Sequence, residues 1–297
     1  MRLGGGNDKD FIDRTGQSGG SFGLGGGGGN ALGCLIPLIM SRFGIGGVVV
    51  LVIGYFILSS LGGLGGGGGV LPTGGAPESS SPGQSRLSPE TSSFLQAVLS
   101  STDTVWTDIF RRNGATYQEP QMVAYTSGTS SGCGAAQSAM GPFYCPTDGR
   151  IYLDPQFFNE LSTRFQAPGD FAMAYVIAHE VGHHVQDLEG TLNRASSAQA
   201  RASRTEGNAI QVGVELQADC YAGVWAARAR APDGKPAMEQ GDFEEGMRAA
   251  EAIGDDTLQR QTQGAIVPES FTHGTSAQRM AALRTGYQSG DPAACKI

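Results

Sequence analysis

Two histidines stand four residues apart in His179-Glu180-Val181-Gly182-His183. On an α-helix that spacing stacks both imidazoles on one face, a turn apart. Two neutral imidazoles so placed suit one borderline divalent ion, and Zn²⁺ accepts such nitrogens at about 2.0–2.1 Å. Glu180 is turned by about 100° from His179 around the helix, so it flanks the pair rather than joining it. A carboxylate there can take a proton from a water acidified by the metal and pass it to a leaving amine. The chemistry of such a set is hydrolysis. The competing reading is a pair of histidines satisfied by hydrogen bonds inside a helical core, and the pentapeptide by itself does not choose.

The surrounding residues favour a metal. From Phe171 to Val185 the only side chains that can carry charge near neutral pH are His179, Glu180, His183 and His184. Buried polar groups are costly without partners, and an ion would supply them. A second apolar stretch, Ala209 to Ala227, contains two charges, Glu215 and Asp219, four residues apart. Glu215 as third ligand, with Asp219 accepting the free N–H of a ligating imidazole, explains both carboxylates together. Arginine partners elsewhere would explain them separately. A membrane span over the same stretch is disfavoured by two acids near its middle. The fourth histidine, His273, lies in Phe271-Thr272-His273-Gly274 and could donate a hydrogen bond to an oxyanion, or could be a surface loop residue. His184 is turned about 100° from His183 and reads as structural.

The elements that must carry these residues are helices. One runs roughly 170–188 with Asp170 as N-cap, and one roughly 206–230; both are apolar on nearly every side and should be buried. Earlier, residues 93–110 repeat at helical spacing up to Gly114, and a short helix is expected near 155–165. Met122–Tyr125 and Ile151–Leu153 read as strands, while Gly128–Gly141 is small and polar and reads as a loop. Residues 243–253 and 276–286 also look helical.

Outside this region the composition changes. Of 47 glycines, 26 fall within residues 1–75, which argues against a packed core there, since glycine has no side chain to bury. From Phe43 to Leu64 there are 22 residues without a charge, and about 20 apolar residues span a bilayer core. A cleaved signal peptide fits less well, because the stretch begins late and is long. Arg2, Lys9, Arg14 and Arg42 precede it and the next basic residue is Arg86, so the positive-inside bias expects a cytoplasmic N-terminus and an extracytoplasmic domain. Four cysteines, Cys133, Cys145, Cys220 and Cys295, follow the stretch. An even number suits two disulfides in an oxidising compartment, with Cys133–Cys145 the natural local pair and Cys220–Cys295 the remainder. Four free buried thiols are the alternative. The net charge of −8 and the lack of a dense basic patch speak against nucleic acid as a partner.

Several motifs together resemble the bacterial membrane-anchored neutral zinc metallopeptidases of the zincin group. They are Gly141-Pro142-Phe143-Tyr144-Cys145-Pro146, Ile151-Tyr152-Leu153-Asp154, His179 through Gln186, Glu215-Leu216-Gln217-Ala218-Asp219-Cys220 and Thr272 through Arg279. The resemblance covers the apolar stretch and nearly everything from Phe94 onward. It implies His179, His183 and Glu215 as Zn²⁺ ligands, Glu180 as catalytic base and Asp219 behind a ligand. It places His273 and Arg279 on the substrate side or in a structural role. Two features depart from it: the unusually Gly-rich N-terminal tail, and Ala282-Leu283 where an aromatic pair is expected.

The expected architecture is a zincin-like α+β fold, mostly helical with a small sheet, preceded by one transmembrane helix. Residues 1–34 are expected as a disordered cytoplasmic tail, 35–64 as the membrane helix, 65–92 as a Gly/Ser/Pro-rich linker and 93–297 as the domain. The expected activity is zinc-dependent hydrolysis of a peptide or protein at a cell membrane. The rival is a non-catalytic binding domain in which zinc is structural.

Overall fold

The computed structural model describes residues 1–17 and 85–296. The expected membrane helix at 35–64 lies outside these residues, as do 18–34 of the tail and 65–84 of the linker. Among the described residues, no helix is long and apolar enough to cross a membrane.

Among the described residues, eight helices and a small mixed sheet make an α+β fold. In order the elements are β1 (Phe11–Asp13), α1 (Pro89–Arg112), β2 (Gln121–Ala124), β3 (Gly128–Ser131), β4 (Gly134–Gln137), β5 (Phe143–Cys145), β6 (Arg150–Leu153), α2 (Gln156–Thr163), α3 (Asp170–Leu188), α4 (Thr191–Gln199), α5 (Arg204–Arg228), α6 (Asp242–Ala252), α7 (Asp255–Gln263) and α8 (Ser276–Ser289). The main sheet has the order β1-β2-β6-β5. β1 and β6 both run parallel to β2, and β5 runs antiparallel to β6.

The first 17 residues correct the expectation of a disordered tail. β1 adds to the sheet with Ile12 opposite Val123, and Met122 N–H and Arg14 N–H close the ladder onto Asp10 O and Ala124 O at 2.8 and 2.7 Å. Met1, Leu3 and Phe11 pack on the core. Composition could not reveal this, because a three-residue strand gains its stability from the partner strand, which lies over 100 residues away. The linker also ends sooner than expected. Ser88 caps α1 by accepting Thr91 N–H at 3.1 Å, and Pro89 is favourable at the first helical position.

The stretch 128–141 is not simply a loop: β3 and β4 form an antiparallel hairpin within it. Its residues are small and lack the alternation that marks a half-buried strand, so the pairing rests on backbone hydrogen bonds. The Cys133–Cys145 disulfide (Cα–Cα 5.8 Å) ties the hairpin to β5. The second disulfide, Cys220–Cys295 (5.5 Å), ties the C-terminal end to α5. By chain entropy, each closes its loop with a stabilisation of order 3–5 kcal/mol.

The core lies where α3 and α5 cross. Tyr175, Val181 and Val185 of α3 and Ala218, Val224 and Trp225 of α5 are fully buried. Gly182 makes the crossing close: a Cβ there would sit 3.0 Å from the Ala218 backbone. The helices can approach in this way because Gly182, the fourth residue of the histidine motif, carries no side chain. Asp170 is not the N-cap of α3. Gly169 holds that position with φ 133°, and the Glu245 carboxylate of α6 accepts Phe171 N–H at 3.1 Å. α5 starts at Arg204 with a capping box between Ser203 and Glu206.

Candidate metal centre

α3 presents His179 and His183 on one face, with ring centroids 4.7 Å apart and planes at 87°. α5 presents Glu215 toward them. Glu215 Oε2 lies 3.2 Å from His179 Nε2 and 3.5 Å from His183 Nε2. One ligand atom from each of the three residues falls within 4.8 Å of the others. His179 and Glu215 are each 6% exposed.

The outer nitrogens of both rings are held. His179 Nδ1–H donates to Asp219 Oδ1 at 2.8 Å. Asp219 is fully buried, and it also accepts Arg279 Nε–H and Nη2–H (2.8 and 2.9 Å) and the Tyr175 hydroxyl (2.6 Å). His183 Nδ1–H donates to Gln186 Oε1 at 2.8 Å. Gln186 is oriented in turn by donating to Val214 O (2.7 Å) and Gln217 Oε1 (2.9 Å). With both Nδ1 atoms engaged, both Nε2 atoms are left for the Glu215 side, so the rings are fixed in the tautomer that offers Nε2 lone pairs to an ion.

The electrostatics fit a cation at that point. Burial disfavours charge on His179, but the charge and hydrogen bond of Asp219 outweigh it and push its pKa up to about 10. His183 is raised against its burial by the Glu215 charge. Burial also works against an ionised Glu215, yet the charge of His183 and hydrogen bonds from both rings hold it well below the ordinary carboxylate range. The carboxylates of Glu215 and Asp219 thus favour positive charge at the two rings, whether from protons or from an ion bound at Nε2. Two nitrogens and a carboxylate oxygen are also the donor types zinc takes. The residues present fit a Zn²⁺ ion.

Glu180 is 7% exposed and lies close enough to His183 to raise its pKa. His273 lies outside the three-residue group. Its Nδ1–H donates to Asp255 Oδ1 at 3.2 Å, while Asp255 Oδ2 accepts the backbone N–H groups of Thr272, His273 and Gly274 at 2.7, 2.7 and 3.1 Å. A charge on the His273 ring would help to lower Glu215. His184 turns away: its Nε2–H donates to Gln118 O at 2.5 Å and its ring packs edge-on against Tyr144.

The family model described as "Putative neutral zinc metallopeptidase" matches residues 1–297. The chain belongs to this zinc metallopeptidase family. It is 46% identical over 251 residues to the uncharacterized protein YpfJ of Escherichia coli (strain K12), which covers 84% of this chain and 83% of that one. It is 42% identical over 224 residues to the uncharacterized protein Mb2605 of Mycobacterium bovis, covering 71% and 73%. No solved structure gives a significant match.

Three side chains of this family member take places that the sequence left unassigned: Gln186, Tyr175 and Asp255. Gln186 is the third residue after His183, one helical turn on, and that spacing is the signal it offered. Asp255 gave none, since Asp255-Asp256 reads as ordinary acid at a helix start. Asp219 has both of the partners weighed from the sequence, a ligand imidazole and an arginine.

Proposed function

We propose that this chain is a zinc-dependent peptidase whose ligands are His179, His183 and Glu215 and whose general base is Glu180. The observation that carries this reading is the three-residue ligand group itself. Among the described residues it gathers three protein donors and no fourth. A structural zinc site is closed by four protein ligands, while a catalytic one keeps a position for water or substrate. The non-catalytic reading needs that fourth ligand.

A bound zinc ion would polarise a peptide carbonyl and acidify a water. The chain's own residues do the remainder. Glu180 accepts the proton of the attacking water and delivers it to the leaving nitrogen. His273, oriented by Asp255, donates a hydrogen bond to the developing oxyanion. Asp219 and Gln186 hold the two ligand rings still. β5 is an edge of the main sheet and is joined to α3 by the Tyr144 hydroxyl, which donates to Asp187 at 2.9 Å. An extended peptide adding to this edge would lie beside the active helix, in the mode of strand addition. The apolar run 43–64 supports attachment to a membrane, and the two disulfides support an oxidising, extracytoplasmic location for the domain.

The test is Glu180→Gln in the full chain. The variant should hold one zinc per chain by elemental analysis and lose peptidase activity on an unbiased peptide library by a factor of about 10² or more. Cleavage at the parent's rate would remove Glu180 from the mechanism. Four protein ligands around zinc in an anomalous-scattering map would favour the structural role.

A further inference from the structure

Thr15 Oγ1 accepts the backbone N–H of Arg86 at 2.9 Å. Thr15 and Arg86, which flank residues 18–84 in the sequence, are thus one hydrogen bond apart. Asp13 is also lowered by a hydrogen bond from Ser85 together with those from Thr15, against its burial. The uncharged run 43–64 lies between these two points in the sequence.

A single crossing between these two points would separate them by a hydrocarbon layer of about 30 Å. It would also remove β1 from β2. We propose that residues 1–17 share one compartment with residues 85–296, so that the intervening chain leaves and returns on the same face of any membrane it enters.

The docking of the N-terminal segment is specific. A Cβ on Gly6 would lie 2.3 Å from the Gln96 carbonyl carbon of α1, so the segment fits that helix only with glycine there. Asn7 N–H donates to Ser100 Oγ at 2.9 Å, and Arg2 N–H to Ala237 O at 2.7 Å.

The basic residues change meaning as well. Arg2, Lys9 and Arg14 formed most of the positive-inside signal. Arg2 faces Asp233 at 3.3 Å and Glu239 at 3.7 Å, and Lys9 pairs with Glu119 and Asp10. Arg14 donates to Ser130 O at 3.3 Å and lies 3.4 Å from Thr129 Oγ1. All three cations are thus engaged by groups of the described residues, Arg2 and Lys9 by carboxylates. Arg42 remains as the basic residue flanking the apolar run, which is too little to set an orientation.

Sidedness can be read with cysteine reporters in the full chain, in a Cys34→Ser background whose other four cysteines are paired. Gly5→Cys and Gln17→Cys report the N-terminal segment; Gln261→Cys and Gln288→Cys report the domain. All four positions are exposed, and Gly5 faces open space. Each variant is expressed in bacterial cells and treated with a membrane-impermeant maleimide before and after permeabilisation. The expected result is the same pattern at all four sites: all reached in intact cells, or all reached only after permeabilisation. Labelling of one pair in intact cells, with the other pair reached only after permeabilisation, would overturn the proposal. The outcome is independent of whether the chain is a peptidase.

Discussion

Arg279 grips Asp219 along two hydrogen bonds, Nε to Oδ2 at 2.8 Å and Nη2 to Oδ1 at 2.9 Å, with both side chains buried. The burial of Asp219 would raise its pKa, yet the Arg279 charge and the His179 contact hold it well below the carboxylate range. Arg279 of α8 thus fixes the carboxylate that orients His179 on α3. Arg279→Met leaves Asp219 buried without its cation. We expect a loss of about 3–5 kcal/mol in urea unfolding and a zinc affinity reduced about 10–100-fold in the folded protein. A variant with parental stability and affinity would show that Asp219 does not depend on this arginine.

Gln186 tests the other ring. Gln186→Leu removes the acceptor for His183 Nδ1–H and the donors to Val214 O and Gln217. Zinc affinity should fall about 10-fold or more in a chelator competition, because the ring loses its fixed tautomer and direction. An unchanged constant would mean that α3 packing alone orients His183.

Asp255→Asn keeps an oxygen for the three backbone N–H groups but removes the charge beside His273. If His273 stabilises an oxyanion through this anchor, kcat should drop about tenfold or more, with zinc content and KM little changed. A change confined to KM would place His273 in substrate binding instead.

Gly182 sets the spacing of α3 and α5. Gly182→Val would drive side-chain atoms into Ala218 across the α3–α5 crossing. Overpacking of this kind costs about 1–3 kcal/mol, and the same displacement should separate Glu215 from the histidines. The expected result is a lower melting temperature together with weakened zinc binding. A variant that melts lower but binds zinc as tightly would separate packing from ligand geometry.

Asp103 offers a pH test away from the metal centre. Burial first, then the charges of Glu119 and Asp10, push its carboxyl up from 3.8 to about 8, against Lys9 and Tyr117. Between these values the folded chain keeps a proton that the unfolded chain has lost, so this group makes stability fall as pH rises from about 4 to about 8. Asp103→Asn should abolish that component. We expect the substitution to raise the melting temperature by a few degrees at pH 8, corresponding to about 1–2 kcal/mol, and by much less at pH 4. Equal effects at both pH values would show that Asp103 titrates normally.

The pairing of the candidate ligands His179 and His183 was legible in the sequence because it is local. Histidines four apart share a helical face wherever that helix lies, and two lone acids in an apolar run announce a buried purpose. The two buried helices expected at roughly 170–188 and 206–230 were legible from their local apolar runs, and they form at Asp170–Leu188 and Arg204–Arg228. Tertiary structure decided what local pattern cannot encode: the distance from Glu215 to the two rings, the convergence of Arg279 and Tyr175 on Asp219, and the Asp255 anchor of His273. It also decided that a glycine-rich beginning supplies a strand to the sheet. Each of these depends on residues tens to hundreds of positions apart being brought within hydrogen-bond range, and the free energy that does so comes from packing the whole core rather than from any one segment.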